Sequence, residues 1–148
     1  MATIDITYNS KSYTILICTT ADGDSVAQLI YQSLIKTEMS TIIEKISETD
    51  VRLTMANYKV LVPILTPQLE QSQVCQEILE QTRLSGKPIV PVIAVKKWRP
   101  DGWLSLIVAG RVFFRIFDEE TACQPFYDSN RMTDLLIEIE VIYLHNIV

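Results

Sequence analysis

The chain has 148 residues, of which one, His145, is a histidine and three, Cys18, Cys75 and Cys123, are cysteines. A Ser/His/Asp triad or a multi-histidine metal site cannot be assembled around one imidazole placed within the last four residues, where a cation instead meets the negative end of a helix. The cysteines are odd in number, widely separated and never in a Cys-x-x-Cys pair, so neither a zinc ribbon nor a secreted disulfide framework fits. Cys18 and Cys75 fall among apolar neighbours and read as packing thiols, while Cys123 reads as a loop thiol. Asp22 and Asp24 have the residue type of cation ligands, but two acids in a turn before a helix equally form the turn and complement the helix N-terminus. Lys96, Lys97 and Arg99 flank Trp98 in the chain's one local basic cluster, with Asp101 and Trp103 close behind, a set suited to an anionic ligand or an acidic partner surface. No metal site is expected.

These residues must be positioned by elements that the apolar pattern outlines. Tyr13–Cys18, Thr41–Ile46, Val60–Leu65, Ile89–Val95 and Arg111–Phe117 read as strands, mostly without the alternation of a half-solvated sheet. Pro63 removes a ladder donor and implies a bulge or an edge in the third of them. A helix is expected to open on Ser25 and Gln28 as a capping box, with Val26, Leu29, Ile30 and Leu34 on its apolar face. Another begins at Pro67 and runs to about Ser85, stopped by Gly86-Lys87-Pro88. A last helix starts at Ser129 with Met132, Leu135, Leu136, Ile139, Ile142 and Tyr143 on one stripe, and Glu48–Asn57 reads as one or two helical turns. The alternation predicts an α/β fold, a three-layer sandwich with a five-stranded parallel sheet and helices on both faces, flavodoxin-like in outline. No linker or repeat divides residues 1–148, which read as one domain, expected to belong to a longer protein.

Charge and composition narrow the function classes. With 48% apolar and 21% charged residues the chain can bury a substantial core. A net charge of -5 repels phosphate backbones, so nucleic acid is not an expected partner. The longest apolar stretch, Pro88–Val95, is short of the roughly 20 residues of a membrane span, and Met1–Asn9 lacks the features of a secretory signal, so a cytoplasmic location is expected. Ligands of such sheets gather at the carboxyl ends of the strands: Thr19–Asp24, Ser47–Asp50, Thr66–Leu69, Lys96–Trp103 and Asp118–Thr121. The four glycines, Gly23, Gly86, Gly102 and Gly110, are too scattered for a dinucleotide fingerprint or a Walker loop. A phosphoreceiver domain would need an aspartate where the third strand ends in Thr66.

From Gly86 the chain reads Gly-Lys-Pro-Ile-Val-Pro-Val-Ile-Ala-Val, then Trp98-Arg99-Pro100-Asp101-Gly102-Trp103-Leu104, Leu106–Gly110 and Phe113-Phe114. This resembles the second half of a TIR domain, the Toll/interleukin-1 receptor homology fold, most specifically over residues 86–117. Two departures bear on function. Between Ile46 and Tyr58 there are too few residues for both the loop and the helix that usually shape the family's pocket. Enzymatic TIR domains also use a glutamate to split the nicotinamide bond of NAD, usually three residues after a Cys or similar residue. Aligned on Cys75 that position is Ile78, and helical phase groups Val74, Cys75, Ile78, Leu79 and Thr82 on one side with Glu77 and Glu80 on the other. One inserted residue would make Glu77 the match.

The resemblance therefore implies an interaction module of innate immune signalling, acting by self-association or contact with other TIR domains, with no cofactor and with no catalytic residue favoured. Its expected interaction residues are Lys96, Lys97, Trp98, Arg99, Asp101 and Trp103. The alternative it leaves open is an NAD hydrolase or cyclase using Glu77, with NAD as substrate. A third reading is a fragment whose role depends on a fused domain.

Overall fold

The computed structural model describes residues 15–37, 41–45, 58–95, 98–111, 114–115 and 129–146. The strands are β1 (Ile15–Thr19), β2 (Thr41–Lys45), β3 (Val60–Leu65), β4 (Val92–Ile93) and β5 (Phe114–Arg115). Between them a 3-10 turn at Ala21–Gly23 leads into α1 (Asp24–Ile35), and α2 (Pro67–Glu70), α3 (Gln73–Leu84) and α4 (Gly102–Val108) follow, with α5 (Ser129–Asn146) last. The sheet order is β2-β1-β3-β4-β5 and every pairing is parallel. That is the flavodoxin-like order, with its switch point between β1 and β3.

Because side chains alternate across a strand, odd and even positions of the sheet enter different cores. Ile15, Ile17, Val60, Val62, Ile64 and Val92 pack with Val26, Ile30 and Leu34 of α1 and Met132, Leu135 and Ile139 of α5. Leu16, Cys18, Leu61, Leu65 and Ile93 pack on the other face with Cys75, Ile78 and Leu79 of α3 and Leu104, Ile107 and Val108 of α4. A strand with both faces covered reads as an unbroken apolar run, as β1 and β3 do.

Several expectations need correction. Pro63 lies neither at an edge nor in a bulge; it pairs with Cys18 in a strand flanked by β1 and β4. Leu61 donates to Pro88 at 3.0 Å and accepts from Val90 at 2.8 Å, and Leu65 accepts from Ala94 at 3.2 Å. By the two-residue alternation the missing N–H of Pro63 therefore falls on the β4 side, and there the ladder is reduced to an isolated bridge at Ile89 plus two paired residues. β4 thus holds two residues, where the sequence implies a longer strand, and β5 is described at Phe114–Arg115. Ser25 does not cap α1, because the chain is already turning at Ala21 and the N-cap position is Gly23. A Cβ on Gly23 would lie 2.8 Å from Ile64 Cγ2 and 2.9 Å from Thr19 Oγ1, so the turn can press against β1 and β3 only with glycine there.

The single helix expected from Pro67 to Ser85 is two. Thr66 caps the first and Ser72 caps the second, each accepting a backbone N–H three residues on, at 3.1 and 3.2 Å. The stop at Gly86 is as expected: φ is 74°, and the Gly86 and Lys87 amides donate to Arg83 and Thr82 as in a Schellman motif. Glu48–Asn57 lies outside the described residues, as does the side chain of His145.

Candidate functional site

The carboxyl ends of β1 and β3 carry a closed polar network. Thr19, Thr20 and Thr66 are buried, and the hydroxyls of Thr20 and Thr66 each donate to Asp22 Oδ1 at 2.7 Å. Asp22 Oδ2 accepts the Gln68 amide at 3.3 Å, and Gln68 Oε1 accepts the Asp22 amide at 3.1 Å. Thr66 Oγ1 also accepts the Leu69 amide. Asp22 thus works as a clasp that ties the turn after β1 to the start of α2, with both carboxylate oxygens engaged. It is the turn-forming role weighed for Asp22 from its position in the sequence. Among the described residues, no group of three His, Cys, Asp or Glu side chains comes together to hold a metal ion.

After this clasp comes α3, which carries Cys75, Glu77, Ile78 and Glu80. Cys75, Ile78, Leu79 and Thr82 are buried in the core, Ile78 with 2% of its surface exposed. Glu77 and Glu80 are exposed, and Glu80 accepts a hydrogen bond from Gln76 on the same helix at 3.3 Å. The helical phase read from the sequence places all six of these residues on the sides they occupy.

The Trp98–Trp103 segment is fastened at three points. The Asp101 amide donates to the Glu70 carboxylate, the Trp103 indole N–H donates to the Glu70 carbonyl at 2.9 Å, and Arg115 donates to the Trp98 carbonyl at 3.2 Å. Asp101 also caps α4, accepting the Gly102 amide at 2.8 Å. Trp98 and Trp103 are half-buried against the α3/α4 core, whereas Arg99 and Asp101 face outward. Lys96 and Lys97 lie outside the described residues. The sequence located this segment but not its anchor: Glu70 is 31 residues from Asp101, and no local pattern links them.

At the opposite end of β3, Tyr58 is buried with its hydroxyl bonded to Thr82, whose own hydroxyl donates to the Ile78 carbonyl at 2.7 Å. Burial pushes the Tyr58 phenol above its ordinary pKa, against the opposing pull of the Thr82 hydrogen bond and with a smaller upward push from Cys18. Lys87 lies over the Tyr58 ring at 4.1 Å, and burial lowers its ammonium pKa.

No protein-family model matches the sequence. No curated protein matches it either. Among solved structures the chain is similar to the TIR domain of the Toll-related receptor TRR-2 from Hydra magnipapillata, at 15% identity and a TM-score of 0.58, over 84% of this chain and 98% of that one. The sugar isomerase domain of an RpiR transcription factor from Sphaerobacter thermophilus is also similar, at 11% identity and a TM-score of 0.47, over 93% of this chain and 84% of that one. The first likeness shows a TIR-like fold, a parallel sheet with helices on both faces. Among the described residues no helix is long and apolar enough to cross a membrane.

Proposed function

We propose that the chain is a TIR-type interaction module of innate immune signalling that works by self-association or by contact with other TIR domains, and that it does not cleave NAD. The observation that carries this reading is the burial of Ile78 on α3 while Glu77 and Glu80 face away from the core, within a fold like that of a Toll-related receptor's TIR domain. A hydrolase of this fold needs a carboxylate where α3 offers an aliphatic side chain. The outward Arg99 and Asp101, with Lys96 and Lys97 beside them in sequence, supply charges for a weak contact that gains strength when many copies are held together.

The test has two arms on the 148-residue chain. Incubated with NAD at high protein concentration, the chain is expected to release no nicotinamide, and light scattering is expected to show concentration-dependent assembly that Arg99→Glu weakens. Nicotinamide release that vanishes in Glu77→Ala would replace this reading with the NAD hydrolase. A chain that stays monomeric at every concentration and binds no other TIR domain would defeat the interaction reading.

A further inference from the structure

Between the Asp22 clasp and the Trp98–Trp103 segment stands α2, a helix of four residues. A single turn has too few internal hydrogen bonds to outweigh the entropy of fixing it, so α2 keeps its place by the bonds its neighbours make to it. On one side those bonds involve the turn after β1: Thr66 donates to Asp22 Oδ1 at 2.7 Å, the Gln68 amide donates to Asp22 Oδ2 at 3.3 Å, and the Asp22 amide donates to Gln68 Oε1 at 3.1 Å. On the other side Glu70 accepts twice, with its carboxylate from the Asp101 amide and with its carbonyl from the Trp103 indole at 2.9 Å. Leu69, between them, is fully buried and seats the turn. We propose that Glu70 is the positioning residue for the surface that carries Arg99 and Asp101, and that the Asp22 clasp sets this surface through α2, so that loosening the clasp loosens a segment bonded to the other end of that helix. What the surface does rests on the interaction reading proposed above; the coupling rests on these hydrogen bonds.

The two ends of α2 move as one unit. Pro67 at the first helical position holds φ near its helical value, and the Glu70 and Gln71 amides donate back to Thr66 and Pro67 at 3.1 and 3.2 Å. A displacement of Thr66 or Gln68 therefore carries Glu70 with it. At the receiving end Asp101 is the N-cap of α4: its amide is held by Glu70 while its own carboxylate accepts the Gly102 amide at 2.8 Å, so the start of α4 is fixed relative to Glu70, and the exposed Arg99 lies two residues before it. The two fastenings at Glu70 differ in kind. The bond to the Asp101 amide is charge-assisted and belongs to the side chain, whereas the bond from Trp103 goes to the main chain and survives replacement of that side chain. A change of side chain at position 70 thus frees the Asp101 amide and leaves the indole held.

The experiment measures amide hydrogen exchange of the dilute, unassembled 148-residue chain at Asp101 and, as a gauge of global opening, at Leu16 and Ile17 of β1. Glu70→Ala is expected to speed exchange at Asp101 about tenfold, the loss of one charge-assisted bond, with the β1 amides unchanged. Glu70→Gln keeps an acceptor oxygen and should recover most of the protection. Asp22→Asn, whose amide nitrogen accepts no hydrogen bond, is expected to speed exchange at Asp101 about threefold. Should that variant not fold, Gln68→Ala removes the acceptor of the Asp22 amide from an exposed side chain and should act in the same direction. Exchange at Asp101 that is unchanged in Glu70→Ala, or that rises in the clasp variants only as far as it does in β1, would overturn the proposal. Light scattering ties the coupling to the surface: the concentration at which the chain assembles should rise in Glu70→Ala and return in Glu70→Gln, and equal assembly by wild type and Glu70→Ala would remove Glu70 from the interaction. A wild-type chain that never assembles defeats the interaction reading instead, and the coupling then stands or falls on the exchange rates.

Discussion

On the face covered by α1 and α5, the buried set is aliphatic with one methionine, Ile15, Ile17, Val62 and Ile64 against Ile30, Leu34, Leu135, Ile139 and Met132, and Tyr31 and Phe114 pack at its margin. On the face covered by α3 and α4 the buried set also includes Cys18, Cys75 and Tyr58, with Thr82 beside them and two tryptophans at the margin. The buried set of the first face is held by area and shape, so its tolerance is set by volume. The second must also satisfy hydroxyls, thiols and indoles, and its polar atoms lead to the rim and to α3, where the chemistry discussed above is concentrated. Within one fold, one side of the sheet serves chiefly as foundation and the other carries the groups through which the molecule can differ from its relatives.

The comparison makes its largest demand at the centre of the aliphatic face. Ile17→Ala should destabilise the chain by about 3 kcal/mol, through lost burial and the cavity it leaves, measured by urea unfolding. Should a loss under about 1 kcal/mol be found, the face would not be packed to the density claimed for it. Next comes Gly23→Ala, expected to cost about 2 kcal/mol because the added methyl meets Ile64 and Thr19 at under 3 Å. On the polar face, Tyr58→Phe should cost about 1 kcal/mol, since the Thr82 hydroxyl keeps its bond to the Ile78 carbonyl.

The same variant sharpens the contrast through pH. The folded-state pKa of Tyr58 is raised, so the stability it contributes is fully present below the ordinary tyrosine pKa of about 10 and is lost as pH rises through the higher folded value. Unfolding profiles of wild type and Tyr58→Phe should therefore draw together above about pH 10. Lys87 has the opposite sign and is common to both chains, so the difference isolates the phenol. The smallest effect belongs to the margin: Trp103→Phe gives up the bond to the Glu70 carbonyl and should cost about 0.5 kcal/mol, with a rise in hydrogen exchange at the Asp101 amide.

The division between the faces also tracks what a reader of the sequence can see. Strands buried on both sides leave an apolar run, which is why β1 and β3 were legible almost to the residue, and the period of α3 fixed the outward direction of Glu77 and Glu80. A proline in a run signals a lost donor but not which neighbour loses it, so Pro63 reads as a bulge or an edge although the strands on either side of β3 include it in the sheet. Ser25 and Gln28 satisfy a capping pattern that the turn at Ala21–Gly23 pre-empts, because the contact of Gly23 with Ile64 is tertiary. Of the rim, the sequence identified the two loops but not the Asp22–Thr66 clasp, whose partners are 44 residues apart. The same holds for Glu70, since nothing local in a chain announces a partner 31 residues away.

The proline at position 63 leaves the sheet with a seam. β1 is laced to β2 over five residues and to β3 over four, but β3 is laced to β4 over only two. A pull on β4 is thus resisted by fewer paired residues than a pull on β1, and the β2-β1-β3 part of the sheet, which carries the Asp22 clasp, is expected to stay joined when β4 parts from it.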